Sequence, residues 1–290
     1  MVSRLMKKQL RKLVIKLRDS LDVLVKPGPL LYYTHIENFG DLINRDLYLW
    51  LFSREPANAF SAGRWARKPR MSAIGSHLAA IKNTATLVWG TGFLSSELQP
   101  SCRLRNVCAV RGPLSRKKLV DAGIECPKRF GDPALLSPLL YGRPAEEGQP
   151  RIKLVPHFSD RNEPCWEKIA EKHDCDLIDV RHAPVRVIHE IATASLVISS
   201  SLHGLIVGVA YGIPVLWYRP TDKPKGDGFK FVDFFEALGI PNVKPVKSCD
   251  NLIEASPFEL AICAKPDLVL SQREELLAQL YHRFPGSLSN

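Results

Sequence analysis

His203 is the residue best suited to chemistry in this chain. It follows three serines, Ser199, Ser200 and Ser201, which end the apolar run Leu196-Val197-Ile198. Imidazole is the side chain whose ordinary pKa lets it give and take protons near neutral pH. A strand followed by small polar residues and a helix start is also where parallel sheets hold ligands, because free helix N–H groups there face anions. A buried helix cap, with the serines satisfying backbone groups, fits the same residues. Arg111 stands at a similar junction, between the apolar Val107–Val110 and Gly112-Pro113, where its fork of donors suits a carboxylate or phosphate. Asn38 and Asp41 flank Gly40 in a turn, placed either to cap the next helix or to face a ligand.

These residues need strands and helices to hold them, and the sequence supplies both. Leu196–Ile198 reads as a strand buried on both faces, Leu202–Tyr211 as a helix, and Val215–Trp217 as the next strand. Gly204 and Gly208 inside that helix each cost roughly 1 kcal/mol relative to alanine, which points to close backbone approach. Earlier, Leu30–Thr34 reads as a strand and Leu42–Phe52 as an amphipathic helix. Strands near Ser72–Gly75, Thr86–Trp89 and Val107–Val110 follow, with a helix from His77 and another from Pro113. Thr86–Trp89 ends in the glycine turn Gly90-Thr91-Gly92, and Phe130-Gly131-Asp132-Pro133 repeats the strand-to-turn pattern. Tyr141–Pro150, rich in Pro, Gly and Glu, reads as a linker. Beyond it come a strand at Ile152–Val155 ending in Pro156-His157-Phe158, a helix near Pro164–His173, a strand at Asp176–Val180 and a helix at Pro184–Ala194. Phe229–Leu238 and Leu268–Phe284 read as later helices. Strands alternating with helices imply an α/β protein with a parallel sheet in each half. The expected segments are an N-terminal helix at 1–26, a Rossmann-like half at 30–145, a second at 150–250 and a helical segment at 251–290.

Composition narrows the partners. The 290 residues carry 40 Lys and Arg against 30 Asp and Glu, a net charge of +10 that suits an anionic partner. Residues 3–25 place Leu5, Met6, Leu10, Leu13, Val14, Leu17 and Leu21 on one helical stripe, among seven Lys and Arg between 4 and 18. That pattern suits an anionic membrane surface or a helix packed on its own protein. Residues 53–71 form a basic loop. No apolar run reaches the ~18 residues that span a bilayer, and the N-terminus lacks a secretory signal, so the expectation is a cytoplasmic protein, either free or peripheral on the membrane's inner face. The 7 cysteines form no C-x-x-C pair and suit reduced thiols. The 8 histidines show no H-x-x-x-H, and no metal site is expected. Nothing resembles a nucleic-acid-binding motif.

The string SSSLHGLIVGVAYGIP resembles the C-terminal signature of the polysaccharide pyruvyltransferase family, in its xanthan-type ketal branch. Asn38-Phe39-Gly40-Asp41 resembles its N-terminal N-x-G-D element. Val88–Gly92, Ala109–Pro113 and Gly131–Pro133 match further family motifs in order, so the resemblance covers roughly residues 30–240. It implies two Rossmann-like domains in a GT-B-like pair, and transfer of pyruvate from phosphoenolpyruvate to a glycan as a cyclic ketal. No cofactor beyond this co-substrate is implied. On this reading His203 is the general acid/base. Arg111 and Lys230 clamp anions, and Lys230 is favoured because the branch has a comparable basic-aromatic segment. Ser199, Ser200, Ser201 and the helix start at Leu202 hold phosphate. Asn38, Asp41, Gly90 and Gly92 line the acceptor side, where a lipid-linked oligosaccharide is the expected acceptor. One departure stands out. Some pyruvyltransferases outside this branch have an arginine two residues before the histidine, where this chain has Ser201, so Arg111, Arg219 or Lys230 must supply the missing charge.

Two other functions remain compatible with the sequence. A nucleotide-sugar glycosyltransferase of similar fold would bind a uridine or guanosine diphosphate sugar. A non-catalytic scaffold of a polysaccharide assembly complex would tolerate loss of His203.

Overall fold

The structure, a computed structural model, describes residues 29–30, 38–53, 55–58, 70–145 and 148–283. The expected N-terminal helix, the strand beyond Leu30 and most of the basic loop at 53–71 lie outside these residues.

Two parallel sheets carry the fold. The first comprises β1 (Pro29–Leu30), β2 (Ala57–Asn58), β3 (Met71–Ser72), β4 (Leu87–Trp89) and β5 (Asn106–Ala109), in the order β2-β1-β3-β4-β5. The second comprises β6 (Ile152–Val155), β7 (Asp176–Leu177), β8 (Leu196–Ser199) and β9 (Val215–Trp217), in the order β7-β6-β8-β9. All pairings between these strands are parallel. In each sheet the strand order reverses once, between β1 and β3 and between β6 and β8. Loops leave in opposite directions at such a point and open a crevice at the carboxyl ends.

The helices among the described residues are α1 (Phe39–Phe52), α2 (Pro113–Asp121), α3 (Ser137–Tyr141), α4 (Cys165–His173), α5 (Pro184–Ala192), α6 (Leu202–Ala210), α7 (Phe229–Ala237), α8 (Cys249–Glu254) and α9 (Pro266–Arg283). The helix expected from His77 is only a 3₁₀ turn at Leu78–Ala80. Asn83, with its side chain accepting from Ala85 N–H at 2.9 Å, turns the chain into β4 before a longer helix could form.

Strand alternation sorts side chains into layers, since successive residues face opposite sides of a sheet. Val88 and Val110 pack with Leu119 and Ile124 on one outer face. Leu154, Ile198 and Leu216 pack with Trp166 and Ile169 on the other. Leu87, Trp89, Val155, Val197 and Val215 face inward, and one core containing residues of α1, α5, α6, α7 and α9 joins both sheets. Helix α6 is buried along its whole length. At Gly208 an added Cβ would lie 2.7 Å from Val215 Cγ1, so the glycine sets how closely α6 lies on the sheet. Helix α9 returns to the first sheet, where Leu276 C=O accepts from Trp89 Nε1 at 3.0 Å.

Candidate active site

A cavity of about 560 Å³ lies where the strand-reversal crevices of the two sheets face each other. That is within the ~300–1,000 Å³ common for small-molecule sites. Asn38 and Asp41 reach it from the start of α1, and Gly75, Ser76 and His77 from the loop after β3. His157, Phe158 and Ser159 come from the loop after β6, and Ser201, Leu202 and His203 from the start of α6. Lys230 in the first turn of α7, with Lys223 and Lys225 from the loop before it, completes a cationic side.

His203 is 8% exposed, and no described residue meets its Nε2. Burial first, then the charges of Lys230 and Arg111 and two neighbouring imidazoles, push its pKa down to about 3. The ring is therefore neutral at pH 7. Its other edge rests on Gly40 in the first turn of α1, where a Cβ would overlap the ring. The glycine of the N-terminal motif thus exists to admit the histidine of the C-terminal one. Gly40→Ala is expected to displace His203 and cost about 1–3 kcal/mol by overpacking. Thermal unfolding would show the loss of stability, and a transfer assay a larger loss of activity than the fall in stability explains.

Asp41 accepts from Asn38 Nδ2 at 2.9 Å. Burial lifts its carboxyl to about 6, against the lowering pull of that bond and of Lys230. Asn38 occupies the N-cap position of α1 but makes no capping side-chain bond, and its Oδ1 is buried without a partner. The two side chains are tied to each other, and both residues line the cavity. Lys230 is pulled down to about 8, chiefly by burial and then by Arg111, while Asp41 opposes the shift. Lys223 pairs with Glu163 at the rim. Among the described residues no group of three His, Cys, Asp or Glu side chains is arranged to hold a metal ion.

The structure gathers Asn38, Asp41, Ser201, Leu202, His203 and Lys230 into this one cavity, and gives the other expected site residues different work. Arg111 is fully buried behind the wall and does not reach it. Its donors are engaged by Asp233 at 3.1 and 3.2 Å, Ser76 Oγ at 2.8 Å and Phe93 C=O at 2.5 Å. The fork expected to clamp a ligand instead holds an internal carboxylate. Gly92 makes room for that guanidinium, which an added Cβ would strike. Gly90, at φ +99°, turns the chain against Pro133. Neither glycine lines the cavity. Ser199 Oγ donates to Val155 C=O at 2.6 Å or Ser201 C=O at 2.9 Å and accepts from Ser201 N–H, so it shapes the turn. Ser200 Oγ donates to Asp160 Oδ1 at 2.9 Å and accepts from His157 N–H at 2.8 Å. Arg219 pairs with Asp222 at 2.7 Å and also stands outside the cavity.

Two further imidazoles of the cavity were not among the expected site residues. His77 is buried and held down to about 4, by burial first and Arg111 second. His157 is held down to about 3, by burial first and Lys230 second. Each follows the end of a parallel strand, the same positional signal that singled out His203.

An α/β architecture with neutral imidazoles, lysines and one carboxyl at facing strand ends has the chemistry to hold an anion and to move protons. The chain belongs to the polysaccharide pyruvyl transferase family, whose model matches residues 6–222. It is 27% identical over 235 residues to the succinoglycan biosynthesis protein ExoV of Rhizobium meliloti, covering 76% of this chain and 69% of that protein. It is 26% identical over 224 residues to an uncharacterized protein of Acanthamoeba polyphaga mimivirus, covering 73% and 76%. Among solved structures, the wall teichoic acid polymerase TagF aligns with 98% of this chain and 93% of its own, at 11% identity and a TM-score of 0.41. Membership of this family supports a transferase role for the chain.

Proposed function

We propose that the protein transfers pyruvate from phosphoenolpyruvate to two hydroxyls of one sugar in an exopolysaccharide or capsule repeat unit, forming a cyclic ketal. The two sheets are read here as a GT-B-like pair of Rossmann-type halves. The observation that carries the proposal is the buried, unpartnered Nε2 of His203 in one cavity with Lys230, Lys223 and Lys225. Lysines and the free N–H groups at the start of α6 suit the donor's carboxylate and phosphate. Asn38 and Asp41, on the opposite sheet's side, suit acceptor hydroxyls.

The first hydroxyl oxygen bonds to C2 of the donor as C3 gains a proton. The bond from C2 to the phosphate oxygen then breaks, and the second hydroxyl oxygen bonds to C2. Of the two hydroxyl protons, one is accounted for at C3 and the other leaves with hydrogen phosphate. A neutral His203 suits removal of a hydroxyl proton. Once the donor's negative charge lies beside it, the same ring gains basicity and suits delivery of a proton to C3.

Incubation with phosphoenolpyruvate and lipid-linked oligosaccharides is expected to raise the acceptor's mass by pyruvic acid less water, with release of phosphate. A hexose increment with a nucleotide sugar, and none with phosphoenolpyruvate, would favour the glycosyltransferase reading instead.

A further inference from the structure

His157 leaves β6 through Pro156 and is held from two sides. Its backbone N–H donates to Ser200 Oγ at 2.8 Å, and Ser200 is itself fixed by Asp160 at 2.9 Å. One serine of the Ser199–Ser201 run thereby places a second histidine in the cavity that His203 occupies. Ser159 then acts on the ring. Its N–H donates to His157 Nδ1 at 3.3 Å, and its Oγ lies 2.7 Å from the same nitrogen. A ring nitrogen that accepts a backbone N–H carries no proton, so in the neutral ring the proton sits on Nε2. Phe158 packs on the ring at 4.1 Å between centroids, and all three residues line the cavity. No described residue meets Nε2. The charged neighbour acting on the ring is Lys230, which opposes its protonation; Asp160 holds Ser200 through Oδ1, while its Oδ2 is buried without a partner. The result is a fixed, neutral N–H donor beside the lysines.

We infer that His157 is a further binding residue for the anionic donor, presenting its Nε2–H to a carboxylate or phosphate oxygen, and that Ser159 is the positioning residue that fixes this tautomer. The inference rests on the proposed use of phosphoenolpyruvate. A neutral donor suits this position because another buried cation beside Lys230 would meet repulsion, whereas an N–H still stabilises an anion without adding charge.

The test is calorimetric titration of the full chain with phosphoenolpyruvate, together with ¹⁵N spectra of the histidine rings. His157→Phe keeps the aromatic packing and removes the donor. It is expected to weaken binding roughly 10- to 100-fold, as loss of a hydrogen bond to a charged group does. His157→Gln, which restores an N–H near Nε2, should recover much of that loss. In wild type, Nδ1 should give the signal of an unprotonated ring nitrogen. In Ser159→Pro, which lacks the donating N–H, that signal should give way to a mixture of tautomers with weaker binding, whereas Ser159→Ala, which keeps the N–H, should retain it. If His157→Phe melts normally and binds phosphoenolpyruvate as tightly as wild type does, the inference is overturned. A protonated Nδ1 in wild type also overturns it. If wild type itself shows no binding of phosphoenolpyruvate, the donor assignment fails instead, and the ring spectra still decide the tautomer.

Discussion

His203→Gln is expected to lower pyruvyl transfer by about 10²–10⁴-fold, the usual loss when a general acid/base is removed. Its melting temperature at pH 7 should stay at or above that of wild type. The wild-type ring contributes no protein hydrogen bond through Nε2, and burying an unpaired polar atom is itself unfavourable. A structural histidine would show the reverse pattern, with activity lost only through unfolding. The acid side gives a second readout. Burial, reinforced by Lys230, holds the folded-state pKa near 3, below the ordinary 6.5. As pH falls below 6.5 the unfolded chain takes up a proton that the folded ring refuses, so this residue costs stability down to about pH 3. His203→Gln should therefore lose less stability than wild type between pH 6.5 and 4, measured by denaturant unfolding at each pH. A variant that keeps near wild-type transfer while folding normally would remove His203 from the mechanism.

The same field makes donor binding depend on protons. His77, His157 and His203 are all neutral at pH 7, and Lys230 is among the charges that hold two of them so. An anionic donor reverses that field and raises the basicity of every ring it approaches. In the proposed reaction, His203 beside the donor's charge is then basic enough to hold the hydroxyl proton that C3 receives.

How much of this was legible in the sequence depends on the range of each interaction. Strands and helices around His203 follow from local apolar patterning, and β6, β9 and α6 fall where that patterning puts them to within a residue. The rule that placed His203, a polar residue just past a parallel strand, applies equally to His77 and His157. Those two were missed because no run of serines drew attention to them. The role of Gly40 was hidden for another reason. Its partner His203 lies more than 160 positions away, and no spacing rule joins them. Arg111 shows the limit most sharply. Its position after β5 resembles that of a ligand clamp, yet Asp233, an internal carboxylate from α7, takes its donors. Local sequence gives the type of donor. Only packing decides whether the acceptor is a ligand or the protein itself.

The second large effect is expected at that pair, as a loss of stability rather than of donor contacts. Asp233 is fully buried and accepts from Arg111, from Ser115 N–H at 2.9 Å and from Ser115 Oγ at 2.6 Å. Gly112, beside Arg111, lets the Asp233 backbone come close enough for this, since a Cβ there would overlap the carbonyl. The pair thus ties the start of α2 to α7, the helix that carries Lys230. Removing one partner of a buried ion pair typically costs about 3–5 kcal/mol, because the other charge remains desolvated and uncompensated. Arg111→Met is therefore expected to lower stability by roughly that amount. Arg111→Lys should recover only part of it, because one ammonium cannot reach Asp233, Ser76 and Phe93 together as the planar fork does. Combining Arg111→Met with Asp233→Leu should cost less than the sum of the two single changes, since neither charge is then left alone. Denaturant unfolding of the four proteins closes this cycle. At a temperature where Arg111→Met is still folded, its affinity for phosphoenolpyruvate should stay within a few-fold of wild type. A normally stable Arg111→Met protein with a large loss of donor affinity would return the arginine to the ligand.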